Sequence, residues 1–197
     1  MKKIITLIAV LSFVILNGQK TYVPDDAFEN YLESNAMGDG VANNDSVLLA
    51  NINSVSSLNL SSLGIADMTG IEGFSSLSTL YCINNYITAL DLSNNTSLVT
   101  LYCEVNQLSS LDLTHNSMLE VLYCGWNQIS SLDVSLCLDL IDLECSENPI
   151  SNINLTQNLF LESLGMEFNT LMSSVDLSQN ASLTYLSIHS SFFDSLD

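Results

Sequence analysis

The sequence predicts a β-solenoid, a stack of short coils that each add parallel strands to two faces of the stack. A 21-residue repeat runs through most of the chain and opens at Leu77, Leu98, Leu119, Leu140 and Leu161. Each repeat begins with the pattern L-x-x-L-x-(C/M)-x-x-N, in which apolar positions alternate as in a strand with one buried face. A related pattern follows within the same repeat, so that half-repeats of 10 and 11 residues alternate. Such nesting is typical of coils that bury one continuous core.

Residues 1–18 have the order of a secretory signal peptide. Lys2 and Lys3 precede an apolar run from Ile4 to Leu16, and Gly18 closes the segment. The apolar run is shorter than the ~20 residues that span a bilayer, and no basic stop-transfer segment follows. We therefore expect cleavage near Gly18, export, and no transmembrane segment in the remaining chain.

Residues 19–54 are predicted to cap the N-terminal end of the stack. Pro24 is expected in the first turn of a helix, with acidic residues beside it. Ala27, Phe28, Tyr31 and Leu32 would share the apolar face of that helix. A polar connector then leads from residue 38 to residue 45.

Residues 55–197 are predicted to form about seven coils, which start near residues 55, 77, 98, 119, 140, 161 and 183. One extra residue between Leu171 and Val175 predicts a local bulge. The last coil stops in mid-motif at Asp197. Natural arrays cover their final coil with a capping repeat, so we expect a truncated version of a longer product, with its C-terminal cap missing.

Two sets of repeated residues are predicted to point inward. The first is a cysteine column of Cys82, Cys103, Cys124 and Cys145. Neighbouring strands lie ~4.8 Å apart, whereas a disulfide needs Cβ atoms at ~3.8 Å, so we expect unpaired thiols that act as apolar filler. Cys137 takes a slot that holds Asn in other coils and is also expected to stay unpaired. The second set is an Asn column that would satisfy backbone groups of successive turns; it comprises Asn85, Asn106, Asn127, Asn148 and Asn169.

These motifs resemble the leucine-rich repeat family, and more narrowly its secreted bacterial members with 21-residue nested repeats. The resemblance covers residues 24–197 and is carried by Leu-Tyr-Cys at 80–82, 101–103 and 122–124, by Leu-Asp-Leu at 90–92 and 111–113, and by the Asn columns. Residues 64–72 resemble the segment that leads into the repeats of internalin-like proteins. The resemblance implies a binding or adhesion scaffold, often displayed at the cell surface and usually without catalysis.

The outward positions of the first face predict a recognition surface. Aromatic anchors beside carboxylates are typical of binding patches. Three tyrosines in one column lead to an acidic step, and Trp126 and Phe168 lie just past the strands of neighbouring coils. A tyrosine ladder that only stabilises the sheet is an equally good interpretation of Tyr81 and Tyr102. The predicted binding residues are Tyr81, Tyr102, Tyr123, Trp126, Asp142, Glu144, Glu147 and Phe168.

The second face predicts regular polar columns that include Asp91, Asp112 and Asp133. Calcium bridging is one interpretation of these carboxylates, and hydrogen bonding by flanking Ser and Thr hydroxyls is the alternative. The segment Gly38–Asp45 is a second, weaker candidate for calcium. No other cofactor or metal site is predicted.

Charge and motifs narrow the function. The net charge is −19 with three Lys and no Arg, which excludes nucleic acid, because binding a phosphate backbone needs Lys and Arg. His115 and His189 are the only histidines, and neither stands in a catalytic motif. We therefore predict a non-enzymatic scaffold that binds a protein ligand. The alternatives are a carbohydrate-binding accessory module and a calcium-stiffened structural protein.

Overall fold

The computed structural model describes residues 18–189 and 195–196. The predicted signal peptide, apart from Gly18, lies outside these residues. Within the described part of the chain, no helix is both long and apolar enough to cross a membrane.

The N-terminal cap combines two short helices with a strand pair. Strand β1 (Lys20–Tyr22) pairs antiparallel with β2 (Ser46–Leu48), and helices α1 (Asp26–Ser34) and α2 (Leu49–Ile52) flank the pair. Helix α1 begins after Asp25, whose Oδ1 accepts the N–H groups of Ala27 and Phe28 at 3.0 and 3.1 Å. Pro24 therefore precedes the N-cap residue, and its predicted place in the first turn is wrong. A side-chain acceptor at Asp25 satisfies free N–H groups at the helix start and sets the boundary there.

Helix α1 closes the end of the hydrophobic core. Phe28 and Leu32 are fully buried, and the ring of Phe28 stacks on Phe74 with centroids 6.3 Å apart. Phe74 follows a 3-10 turn at Ile71–Gly73, in the segment that leads into the first regular repeat. The apolar face of the helix thus covers the open end of the stack.

The coils stack to form one parallel sheet on the first face. In the described residues its seven strands are β3 (Ser57–Asn59), β4 (Thr79–Tyr81), β5 (Thr100–Tyr102), β6 (Val121–Tyr123), β7 (Asp142–Glu144), β8 (Ser163–Gly165) and β10 (Tyr185–Ser187). Leu80 pairs with Leu101, and Leu101 pairs with Leu122, so each coil repeats the register of the one before it. The predicted solenoid of 21-residue coils is confirmed.

The second face is less regular than predicted. Among the described residues, its one strand pair is β9 (Ser174–Val175) with β11 (Ser195–Leu196), so a strand in every coil on this face is not observed. In earlier coils a side-chain oxygen accepts the backbone N–H of the second residue after it. For example, Ser93 N donates to Oδ1 of Asp91 at 2.9 Å. The same bond forms from Ser178 N to Asp176 Oδ1 in the coil that contains β9, so it is common to this face and does not by itself prevent a strand.

The extra residue of the sixth repeat lies earlier than predicted. Met172 is buried and Leu171 is 61% exposed, so Met172 and Val175 keep the usual spacing of three. The N–H of Met172 donates to the carbonyl of Asn169 at 3.0 Å. The insertion is therefore accommodated in the turn before Met172, and the predicted position between Leu171 and Val175 is wrong.

The cysteine column is buried inside the stack as predicted. Cys82, Cys103, Cys124 and Cys145 are fully buried free thiols, and each backbone N–H donates to the residue one coil along, as from Cys82 to Tyr102 at 2.8 Å. Burial raises the pKa of Cys82 and of Cys145 to about 12. These thiols therefore stay protonated and behave as small apolar side chains.

Both Asn columns bind backbone groups between coils. In the first column, Asn127 donates to the carbonyls of Cys103 and Cys124 at 3.0 Å and accepts from Leu108 N at 2.9 Å. In the second column, Asn158 donates to Val134 and Cys137 at 3.0 and 2.8 Å. The second column comprises Asn95, Asn116, Asn158 and Asn180, and their Oδ1 atoms are buried without a hydrogen-bond partner among the described residues. In the first column both the NH2 donors and the oxygen acceptor of the side-chain amide are satisfied. In the second column only the NH2 donors are satisfied.

Candidate functional site

The outward side chains of β4–β7 form the first row of the candidate site. Tyr81 and Tyr102 stack with ring centroids 5.0 Å apart and an interplanar angle of 17°. Tyr102 and Tyr123 are 4.6 Å apart and tilted by 55°. In-register strands place identical residues directly beside each other, so the ladder follows from the repeat itself. Its rings support the sheet and also present a continuous aromatic strip on its surface.

The ladder ends on a carboxylate. The hydroxyl of Tyr123 donates to Oδ2 of Asp142 across the β6–β7 boundary at 2.7 Å. This hydrogen bond, reinforced by partial burial, raises the pKa of Tyr123 above its usual value. The bond also fixes the orientation of the third ring, so the strip meets the acidic step in a defined geometry.

Gly165 makes room for the carboxylate of Glu144. Oε1 of Glu144 accepts the N–H of Ser146 at 2.9 Å, and a Cβ atom at Gly165 would overlap the Glu144 carboxylate. The same carboxylate lies 3.5 Å from where a Cβ would stand at Gly125. Burial, with the charge of Glu144, raises the pKa of Glu104. Glu104 and Glu144 therefore concentrate negative charge around Gly125.

A second row lies in the turn that leaves each strand. Trp126, Glu147 and Phe168 all have φ of 55–56°, in the left-handed region. Trp126 is 60% exposed and Phe168 is 40% exposed. The rings of Phe168 and His189 meet edge to face, with their centroids 6.3 Å apart. Glu147 stands between the two aromatic residues, so they occupy alternate coils and the prediction of neighbouring coils is wrong.

The predicted binding residues thus fall into two parallel rows. Five lie on the strands: Tyr81, Tyr102, Tyr123, Asp142 and Glu144. Three lie in the turn after the strands: Trp126, Glu147 and Phe168. The structure places both rows on one side of the solenoid and adds Glu104, which the sequence analysis did not include. The available signal was that Glu104 occupies the repeat position that holds Gly125 in the next coil.

An apolar edge beside the sheet was also missed. Met118, Leu138 and Phe160 lie one or two residues before the leucine that opens a coil. Their side chains are 52%, 52% and 59% exposed. Phe160 and Ile141 line a groove of about 280 Å³, which also contains Glu120, Asp139 and Glu162. Met118 and Phe160 share a repeat position that holds Ser in three other coils and Asp in one, so large apolar residues at this otherwise polar position were the available signal.

The second face holds its carboxylates through local bonds. Oδ1 of Asp112 accepts the N–H of Thr114 at 2.9 Å and its hydroxyl at 2.7 Å. These bonds lower the pKa of Asp112, and Ser93 and Ser135 act likewise on Asp91 and Asp133. These local hydrogen bonds agree with the hydroxyl alternative for this column. The two histidines lie apart: His115 contacts Thr114 Oγ1 at 3.1 Å, whereas His189 packs against Phe168.

Comparison with solved structures places the chain among leucine-rich repeat proteins. The functional domain of InlJ from Listeria monocytogenes, which includes a cysteine ladder, is 30% identical with a TM-score of 0.76, over 91% of this chain and 45% of that one. An internalin (inlF) of the same organism is 20% identical with a TM-score of 0.67, over 83% and 56%. A leucine-rich repeat protein of Leptospira interrogans is 18% identical with a TM-score of 0.59, over 75% and 46%.

The chain spans about half the length of each of these three structures. No family model and no curated protein sequence matches it. The InlJ domain includes a cysteine ladder, and this chain contains a column of four buried cysteines.

Proposed function

Because this chain is an internalin-like leucine-rich repeat protein, we propose that it is an exported, non-enzymatic scaffold that binds another protein at the cell surface. The single observation that carries the proposal is the aromatic strip of Tyr81, Tyr102 and Tyr123, fixed at its end by the bond to Asp142. The signal-like residues 1–18 support export.

The chemistry of the surface selects the kind of protein ligand. Glu104, Asp142, Glu144 and Glu147 stand beside the aromatic rows, and the chain has 22 acidic residues against three Lys. Arg and Lys side chains bind carboxylates and also pack on the faces of aromatic rings. The partner surface is therefore basic, with Arg or Lys side chains that enter the strip between Tyr123 and Trp126.

The exposed ring of Trp126 is the contact residue of this proposal. It is 60% exposed and its backbone is anchored, because its N–H donates to Ser146 O at 3.0 Å and its carbonyl accepts from Asn106 N at 3.2 Å. A rigid backbone beneath a large exposed ring lowers the entropy lost on binding.

The test compares surface variants in affinity capture from extracellular and cell-envelope proteins. The site variants are Trp126→Ala and Asp142→Asn, and the matched control is Asp112→Asn on the second face. A partner retained by wild type and control, weakened at least tenfold in the site variants and released by salt, supports the proposal. The proposal is contradicted by a partner whose binding is lost equally in the site variants and in the Asp112→Asn control. A partner that binds all variants equally also contradicts it.

Carbohydrate recognition is the second candidate, and the observation that favours it is the exposed Trp126 ring beside the carboxylates of the acidic step. An apolar sugar face would stack on the ring while its hydroxyls bond the acids. A glycan array with wild type and Trp126→Ala tests this alternative. A glycan signal that disappears in the variant favours it over the protein ligand, and no signal from wild type excludes it.

A further inference from the structure

The N-terminal cap contains a carboxylate with an unusual environment. The side chain of Glu29 is 0% exposed, and its Oε2 is buried with no hydrogen-bond partner among the described residues. Its other oxygen, Oε1, accepts the N–H of Asn44 at 3.0 Å. A buried carboxylate oxygen without a donor or a counter-charge is strongly unfavourable, so Oε2 calls for a partner.

Two further carboxylates converge on the same point. Asp26 lies one turn before Glu29 on α1, and Asp45 reaches the helix from the connector that precedes β2. One carboxylate oxygen from each of Asp26, Glu29 and Asp45 lies within 4.8 Å of the others. The backbone holds Asp45 in place, because Val23 N donates to its carbonyl at 3.0 Å. Asp26 and Asp45 are exposed, whereas Glu29 is buried beneath them.

The described residues offer no cation of their own to this cluster. Lys20 is the one Lys or Arg of the described residues, and it is bound to Asp39 and Ser46. Other acids of the cap are also engaged: Asp25 caps α1, and Glu33 accepts the N–H groups of Asp39 and Gly40. Asp26, Glu29 and Asp45 are therefore left with three negative charges facing one another.

The geometry points to a divalent cation site formed by Asp26, Glu29 and Asp45, with calcium as its ion. The ligand set contains only carboxylate oxygens, which hard cations prefer, and lacks the nitrogen and sulfur ligands typical of zinc. Three carboxylates leave further positions to water and backbone carbonyls, as calcium with its flexible coordination accepts. The site differs from the Asp column of the second face and from the part of the 38–45 connector around Asp39, whose carboxylate Lys20 already occupies.

The location gives the ion a structural role. Glu29 lies on the helix whose Phe28 and Leu32 seal the core, and Asp45 lies just before β2 of the cap. A cation that joins the two would fasten the connector to α1. Binding would then raise the stability of the cap, and through the packing of Phe28 on Phe74, that of the coils next to it.

The test uses the full chain, freed of metal with a chelator and titrated with CaCl2 by calorimetry and thermal unfolding. We expect one calcium per chain with a Kd of ~10⁻⁴–10⁻³ M, the range typical of extracellular calcium-binding modules. About 10 mM CaCl2 should then raise Tm by about 3–11 °C. The absence of both heat and a Tm shift in wild type would overturn the site, and an equal response to MgCl2 would overturn its assignment to calcium.

Variants separate the site from unspecific binding to an acidic protein. Glu29→Gln keeps the side-chain volume and the acceptor for Asn44, whereas Asp45→Asn changes an exposed position that folding tolerates. Each should weaken calcium binding at least tenfold and remove the Tm shift, while Asp112→Asn should leave both unchanged. A calcium response that persists in Glu29→Gln and Asp45→Asn, or disappears in Asp112→Asn, contradicts the site.

Discussion

Asp25 and Ala66 are 41 residues apart in the chain and are joined by a hydrogen bond of 2.8 Å from the Ala66 N–H to Oδ2. The same oxygen accepts from Asp67 N at 3.1 Å, while Oδ1 caps helix α1. One carboxylate thus connects the start of the cap helix to the loop that closes the first coil.

Replacing Asp25 by Ala should therefore destabilise the protein more than the loss of a helix cap alone. We expect a decrease of about 2–4 kcal/mol in the free energy of unfolding, because both the N-cap bonds and the bonds to residues 66 and 67 are lost. Denaturant unfolding measures it, with Asn30→Ala on the exposed side of the same helix as control. A loss no larger than that of the control would show that Asp25 does not join the two parts.

Asn127 tests the first Asn column. Asn127→Leu removes donors to two coils and the acceptor for Leu108 N, so buried backbone groups lose their partners. The free energy of unfolding should fall by about 1–3 kcal/mol. Gln128→Leu, at the exposed neighbouring position, is the control and should change stability little. Equal unfolding midpoints for Asn127→Leu and wild type would argue against a structural role for this column.

Cys137 occupies a slot that suits asparagine better. Its Sγ lies 3.8 Å from Asn116 O, whereas Asn116 in the preceding coil donates to Leu92 O and Asn95 O at 3.2 and 3.0 Å. Cys137→Asn should restore two such bonds and stabilise the protein by about 1 kcal/mol. Cys124→Asn is the contrast, since it buries an amide in the apolar column and should destabilise. A loss of stability in Cys137→Asn would contradict the assignment of this slot.

The buried thiols predict low reactivity in the folded state. Burial raises the pKa of Cys82 to about 12 and that of Cys137 to about 11, so the reactive thiolate is scarce at about pH 8. A disulfide reagent should label the five cysteines only after denaturation. Rapid labelling of native protein would mean that the column is open to solvent.

The second-face carboxylates predict acid sensitivity with a defined sign. The N–H and hydroxyl of Thr114 hold the pKa of Asp112 below its usual 3.8. A lowered pKa in the folded state adds stability that is complete above 3.8 and is lost as the pH falls through the lowered pKa. The stability difference between wild type and Asp112→Asn should therefore be constant near neutral pH and shrink below about pH 4. Denaturant unfolding along that pH series measures it, and a difference that grows on acidification would contradict the assignment.

Much of the architecture could be predicted because in-register stacking turns a 21-residue period into columns. Leu101, Cys103 and Asn106 recur at fixed offsets, and the repeat itself specifies which side of the strand each occupies. The buried columns and the place of the tyrosine ladder follow from that periodicity.

Some features could not be read from the period. The second face has the same alternation as the first, yet its described residues form one strand pair, β9 with β11. The bond from Ser93 N to Asp91 recurs from Ser178 N to Asp176 in the coil that contains β9, so this local bond does not decide where a strand forms. The extra residue near Leu171 could be counted but not placed, since Leu171 and Met172 are both apolar. Burial of one and exposure of the other decided its position.

The sequence by itself determined the periodic part of this protein: the solenoid, its buried columns and the aromatic strip, because identical spacing forces identical neighbours. Only the tertiary structure decided where non-repeated segments meet it. The connection of Asp25 to the first coil and the convergence of Asp26, Glu29 and Asp45 involve residues that no period relates. The period makes Tyr123 and Asp142 diagonal neighbours on β6 and β7, but the bond between them depends on how the two side chains turn. These distances depend on how the cap folds back and how side chains turn, which a linear pattern does not encode.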